Sequence, residues 1–323
     1  MTFKRAIVTA VAPLRIILDG DTVAVPFTPE SLIDPATLAV DDVVRAELSG
    51  NRLVVLGRSG GLGLVSGRNL IINGDFRINQ REYVSGATTA VNEYTLDRWY
   101  TRIGTGTFEF TAAPQGQPVT IGNPTYTRYL AQVIERENFQ PGTHVVSWEG
   151  TAKAGITGKG QAAASYQSSP FTFESSGLFD TALEFEGEGD DVWNVKVERG
   201  SVPTPFAASP IGEDLALCQR YYQRFGGQAA YQSHAFGFAR TTTAARISIP
   251  IPVSMRVLPT LTYSTLALYD GAIVSVSALA ASNNGSANAI QVEATSTGLT
   301  TFRPYSLISN NSTSAYVAFD AEL

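Results

Sequence analysis

The stretch Arg68-Asn69-Leu70-Ile71-Ile72-Asn73-Gly74-Asp75-Phe76-Arg77-Ile78-Asn79-Gln80 decides how the chain is divided. It follows a glycine-rich break and opens the longest uninterrupted globular segment. Alternation puts Leu70 and Ile72 on one face and Ile71 on the other, which predicts a strand buried on both sides. Asn73-Gly74-Asp75 supplies turn chemistry, since glycine costs nothing at positive φ and Asn and Asp tolerate it. A second strand-like piece, residues 76–79, leaves the turn.

Upstream, residues 57–67 hold five glycines in eleven positions, which predicts a linker over 59–67. Before it, residues 1–58 offer about five short strands: 6–8, 14–18, 23–25, 42–48 and 52–57, the last two joined by a turn at Ser49-Gly50-Asn51. That density predicts a small OB-like or SH3-like β-barrel. Phe3 and Phe27 are its only rings and it has no basic groove, so a docking module fits better than a nucleic-acid binder.

Downstream, residues 68–208 alternate short apolar runs with turns at Gly104-Thr105-Gly106, Gln115-Gly116, Gly122-Asn123-Pro124 and Pro141-Gly142, which predicts a β-sandwich. Its exit, residues 200–206, is proline-rich and extended. One helix is expected over 209–226: Pro210 suits a first turn, and Glu213 and Asp214 favour the positive end of the dipole. Leu215, Cys218, Tyr222 and Phe225 recur at helical spacing, and Gly226-Gly227 stops it. Its apolar face would be covered by a sheet in a monomer, or by the same helix of two other chains in a trimer. Residues 227–323 return to β, with alternation at Phe236 and Phe238 and from Ile247 to Val253, and a turn at Asn283-Asn284-Gly285. Pro250, Pro252 and Pro259 are expected at an edge or bulge. The fold class is therefore mainly β: barrel, sandwich, one short helix and a C-terminal β-sandwich.

The bulk properties narrow the functions. The net charge is −6 with no basic block, which argues against nucleic acid as a partner. Nothing approaches the roughly 20 apolar residues of a membrane helix, so no membrane insertion is expected. No signal-peptide core follows the first residues, so synthesis in a cytosol is expected. Cys218 stands alone, so stability must come from packing or assembly rather than a disulfide. Lysine is confined to positions 4, 153, 159 and 196; the remaining basic charge is arginine, which suits fixed planar pairs at long-lived interfaces.

Several strings together resemble bacteriophage tail-fibre and tail-appendage proteins. Residues 69–80 followed by Tyr94-Thr95-Leu96-Asp97-Arg98-Trp99 resemble the entry of their jelly-roll module. Residues 195–206 resemble its exit, followed by Leu217-Cys218-Gln219-Arg220-Tyr221-Tyr222. Residues 252–256, Pro259-Thr260 and 319–323 resemble the C-terminal domain of the same proteins, and 14–25 with 52–61 resemble small barrels that begin minor tail proteins of actinobacterial phages. The resemblance implies a virion location, a homotrimer, docking to tail or baseplate proteins, and a receptor-binding C-terminal domain. The middle module is also similar to carbohydrate-binding jelly-rolls with an Asn-Gly-Asp-Phe motif, here 73–76, and an Asp-Asp-Val motif, here 190–192. That likeness implies a structural calcium held by Asp75 and Asp191, although Arg77 stands where an acid is usual.

Candidate sites follow from chemistry. Sugar recognition favours exposed aromatics amid amides and hydroxyls, which points to Tyr231, Tyr263, Tyr269 and Tyr305 for a host cell-surface carbohydrate. No catalytic residue is expected. The acidic run at Glu184, Glu186, Glu188, Asp190 and Asp191 reads as a solvated hairpin tip, and Asp97-Arg98-Trp99 as scaffold. His144 and His234, the only histidines, sit in no nucleophile or phosphate motif, and Cys218 reads as an inert buried thiol. Alternatives are a surface-polysaccharide depolymerase and a purely structural appendage subunit. The opening stretch is expected at the seam of the jelly-roll's first and last strands, away from the receptor.

Overall fold

A computed structural model describes the chain apart from residues 1, 19, 39, 41–42, 50–51, 59–67, 103–105, 111–118, 123–127, 160–162, 164, 188, 283–284 and 287. The expected linker over 59–67, the centres of the turns at 49–51, 104–106, 115–116, 122–124 and 283–285, and Glu188 therefore lie outside the described residues. The chain forms two compact units. One is Met1–Arg68 with Thr143–Val145 and Glu198–Pro205; the other is Asn69–Gly142, Val146–Val197 and Phe206–Leu323.

In the first unit, β1 (Thr2–Val11), β2 (Leu14–Leu18), β3 (Glu30–Ser31), β4 (Val43–Ser49) and β5 (Arg52–Arg58) form one sheet in the order β2-β1-β4-β5-β3. Period-two alternation creates the core: Ala6 and Val8, Leu14 and Ile16, Val44 and Ala46, and Leu53 and Val55 all point inward. The expected strand over 23–25 is absent as a ladder, although Val25 N–H still reaches Ile16 O at 3.0 Å.

The second unit contains two sandwiches. The first uses β6 (Thr88–Thr89), β7 (Tyr100–Thr101), β8 (Gly106–Phe110), β9 (Val119–Gly122), β10 (Arg128–Ile134), β11 (Gly142–Gly150), β12 (Lys153–Gly158), β13 (Phe171–Ser175), β14 (Thr181–Gly187) and β15 (Asp190–Arg199). They form a four-stranded sheet β12-β14-β10-β7 and a six-stranded sheet β13-β11-β15-β9-β8-β6. Trp99, Trp148, Phe171, Phe185 and Leu183 fill the space between, with Trp148 edge-on to Phe171 and Phe185. Each buried indole N–H is satisfied: Trp99 donates to Asn73 O and Trp148 to Ala152 O, both at 2.9 Å.

Next come α1 (Ile211–Gln219), β16 (Tyr222–Gly226), β17 (Ser233–Ala239), β18 (Ala244–Pro250), β19 (Thr260–Ser264) and β20 (Leu266–Tyr269). They are followed by β21 (Ile273–Ser275), β22 (Ala278–Ala281), β23 (Ala289–Thr295), β24 (Pro304–Ser309) and β25 (Tyr316–Asp320). A three-stranded sheet β16-β25-β19 faces a seven-stranded sheet β21-β20-β24-β17-β18-β23-β22 across a core of Ile247, Ile249, Leu268, Val292, Leu307 and Phe319.

Three expectations are corrected. Residues 69–79 belong to no strand. Two backbone bonds tie them to β15, Leu70 N–H to Val197 O and Val195 N–H to Gly74 O, both at 2.8 Å. Side chains supply the rest: the Gln132 amide accepts from Ile72 N–H and donates to Ile72 O, and Asn69 bridges Val195 and Val197. The helix ends at Gln219, not at 226, because Tyr222-Gln223-Arg224-Phe225 pairs as a strand with β25. In that short run Tyr222 and Phe225 satisfy a helical period only by spacing; aromatics also suit strands, and the ladder decides. Finally, Pro250 ends β18, which has neighbours on both sides, instead of lying at a sheet edge.

Candidate ligand surface

Two places concentrate chemistry in the second unit, and the first is the seam between its sandwiches. Asn73, at φ +57°, folds its amide back onto Ile78 N–H, Ile78 O and Asp97 O, while its own N–H donates to Asp214 of α1 at 3.2 Å. Gly74 is required because a Cβ there would lie 2.3 Å from Val195 O. Asp75 is buried against Arg77, whose guanidinium also donates to Ser209 O at 2.7 Å and lies 3.6 Å from Asp214. The opening stretch therefore joins sandwich to helix, as well as lying beside β15.

A second layer of the seam is a buried ion network. Arg98 pairs with Glu322, donates to Val133 O at 2.7 Å, and sits 3.5 Å from the centroid of the Tyr221 ring. Arg81 pairs with Asp320 at 2.9 Å and Glu322 at 3.1 Å, and lies over the Tyr222 ring. Asp97 accepts from Gln80 N–H and Gln80 Nε2; burial raises its carboxyl to about 6 against the opposing pull of those bonds and of Arg81. Arg220 and Arg256 both approach Glu135. Leu323 packs with Tyr94 on a cluster of Tyr100, Ala131, Val133 and Ala182, on the outer face of the four-stranded sheet. This region joins the two sandwiches through buried ion pairs and hydrogen bonds. Asp97, Arg98 and Trp99 are all buried, and Asp97 and Arg98 do not fix each other: Asp97 holds Gln80, which reaches Tyr222 O across the seam, and Arg98 reaches Glu322.

The second place is the outer face of the seven-stranded sheet. Side chains alternate along β17, so Ala235 and Ala239 enter the core while Phe236 and Phe238 point out, 72% and 45% exposed. Register then sets their neighbours. Ile273, Tyr269, Ser306, Phe236, Ser248 and Gln291 form one row across six strands. Pro304, Phe238, Arg246, Glu293 and Ala280 form the next. Tyr269 is 46% exposed and stands two strands from Phe236, about 9.6 Å by strand spacing. Ser233 Oγ and Ser306 Oγ share a hydrogen bond at 2.8 Å within this surface. Aromatic faces beside hydroxyls and an amide offer apolar stacking and polar edges together.

Of the tyrosines expected at the site, the structure places only Tyr269 on this surface. Tyr231 is exposed in the turn before β17. Tyr305 is 3% exposed in the core, opposite Gly237, and its hydroxyl accepts from Thr300 N–H. Tyr263 packs against the same core. Strand parity turns Tyr305 inward, and Tyr263 is half-buried against the core from the three-stranded sheet, so neither stands on this surface. Phe236 and Phe238 were the signal available in sequence; composition favours tyrosine as a sugar ligand, but parity decides which ring reaches solvent.

The calcium pair is also not brought together. Gly74 O accepts from Val195 N–H, and Asp191 lies four residues further along β15, about 13 Å away. The Arg77 guanidinium supplies the positive charge beside Asp75. Among the described residues no three His, Cys, Asp or Glu side chains converge as a metal site.

The acidic run divides as well. Glu184 is fully buried, not at a solvated tip: Arg102 lies 2.5 Å away, and Tyr166 donates to it at 3.0 Å. Burial raises its carboxyl, opposed chiefly by Arg102. His234 Nε2 lies 3.1 Å from Ser309 Oγ, and burial lowers its pKa; Cys218 is buried and burial raises its thiol.

The fold defines a mainly β protein of serial sheet modules with one short helix. No protein-family model matches the chain, and no curated protein matches it either.

Proposed function

We propose that the chain is a receptor-binding or fibre subunit of a bacteriophage tail. Its N-terminal barrel docks to tail or baseplate proteins, and its C-terminal sandwich binds a host cell-surface glycan. The assembly is a homotrimer in the virion, and many weak contacts gain strength from valency. The observation that carries the reading is the exposed row of Tyr269 and Phe236 with Ser306, Ser248 and Gln291 between and beside them. The ordered resemblance of residues 69–80, 94–99, 195–206 and 319–323 to tail-appendage proteins supports the setting. A binding role suits the acidic run better than hydrolysis, since Glu184 is engaged by Arg102 and Tyr166.

The test is adsorption competition. Purified full-length chain should block phage attachment to host cells, and the Phe236→Ala, Tyr269→Ala double variant should lose that activity while melting within about 2 °C of the parent, since both rings are largely solvated. Undiminished competition by the folded variant would remove this surface from the reading. A solution mass near 34.5 kDa at micromolar concentration would remove the trimer.

A further inference from the structure

We infer that the outer face of the seven-stranded sheet selects acidic saccharides, with Arg246 receiving the carboxylate of a uronic acid residue; this rests on the glycan-binding reading above. Arg246 faces outward from β18, with Phe238 as its cross-strand partner on one side and Glu293 on the other. Its guanidinium makes no hydrogen bond or ion pair among the described residues, and its Nε is buried without a partner. The two terminal nitrogens remain the accessible donors. Glu293, the natural counter-ion by register, is approached instead by Arg240 at 3.5 Å. Asp270 at the other side of the sheet is held by Arg303 at 2.8 Å.

The charges on this face therefore close into two pairs and leave one arginine over. That is unusual in a chain with a net charge of −6, whose largely buried Arg77, Arg81, Arg98 and Arg102 all have carboxylate partners. A guanidinium whose two terminal nitrogens face out matches a planar carboxylate edge to edge. Phe236 is its diagonal neighbour across the β17–β18 pair, within reach of a long side chain. A sugar ring stacked on Phe236 would thus carry its carboxylate to Arg246, while Ser248 and Gln291 meet the hydroxyls. One unpaired charge suits a single carboxylate; a doubly charged phosphomonoester would meet Glu293 and Asp270 at close quarters.

The test uses full-length protein against immobilised oligogalacturonate, the same oligomer with methyl-esterified carboxyls, a neutral glucan oligomer and a glycerol-phosphate polymer. The expected result is retention of the uronate at least about tenfold tighter than its ester, the scale of a lost charge-assisted bond. Arg246→Gln should bring acid and ester to equal affinity without changing the melting temperature by more than about 2 °C. Equal affinity of the parent for acid and ester, or preference for the phosphate polymer, overturns acidic-sugar selection. Retention of no probe also overturns it, because a uronate-selective face retains at least the uronate. The glycan reading is judged separately: if Phe236→Ala, Tyr269→Ala abolishes competition for host cells while Arg246→Gln does not, only the charge inference fails.

Discussion

Glu322→Gln tests the ion network that joins the two sandwiches. Arg98 is about 1% exposed, and Glu322 is its only carboxylate partner among the described residues. Arg81, by contrast, keeps Asp320 when Glu322 is neutralised. The substitution therefore leaves one buried guanidinium without a counter-charge, a situation that costs about 3–5 kcal/mol. For a unit of this size that corresponds to a fall in Tm on the order of 6–20 °C. Arg98→Met removes the charge instead. It forfeits the bond to Val133 O and the contact with the Tyr221 ring, together about 2–3 kcal/mol. The Arg98→Met, Glu322→Gln double variant should cost about as much as Arg98→Met alone, since no unpaired charge remains. Urea titrations followed by tryptophan fluorescence, run as a double-mutant cycle, give the coupling directly. A loss below about 1 kcal/mol for Glu322→Gln, or simple additivity of the two changes, would refute a buried pair at this position.

Asp97 gives a pH signature of unusual sign. Its folded value of about 6 lies above the ordinary aspartate value, so between about pH 4 and 6 the folded chain binds more protons than the unfolded one. Its contribution to stability is thus greatest at the acid end and falls as pH rises through that window; Asp97→Asn should gain on the parent from pH 4 to 7, and a constant difference in urea midpoint would contradict this. Gly237→Ala should cost more than about 2 kcal/mol or abolish soluble expression, because a Cβ there meets Arg246 O at 1.9 Å; a parent-like Tm would show that the strands separate freely. Cys218 should react with a thiol reagent only on global unfolding, being fully buried with its thiol pKa raised by desolvation; rapid labelling of the native chain would be inconsistent with that burial.

Much of the fold could be read from local pattern. Period-two alternation at 43–48 and 245–249 fixed strands whose inward residues are the observed cores, because parity along a pleated strand is a local property; at 235–239 alternation located the strand, but its large rings, Phe236 and Phe238, face out. The mainly β class, four of the strands in the first module and the presence of one helix follow from the same signals; the fifth strand there, Glu30–Ser31, pairs in parallel with β5 and had no alternation to announce it. The end of that helix did not. Tyr222 and Phe225 fit both periods, and only the partner strand that begins 94 residues later, from Tyr316 to Asp320, selects the extended form.

The opening stretch shows the same boundary between levels. Its residue types announce a turn rich in amide and carboxylate groups, and Asn73, Gly74 and Asp75 do form one. That Asn73 meets Asp214, that Arg77 neutralises Asp75, and that Gln80 reaches Asp97 and Tyr222 O depends on contacts with residues 17 to 142 positions away, apart from the Asp75–Arg77 pair. Likewise, sequence named rings in the C-terminal third as candidates. Register alone turned Tyr305 into the core, packed Tyr263 against it from the three-stranded sheet, and left Phe236, Phe238, Tyr269 and Arg246 on one face. Local chemistry determined what each segment could become; cross-strand pairing, which no local window contains, decided which side chains share a surface.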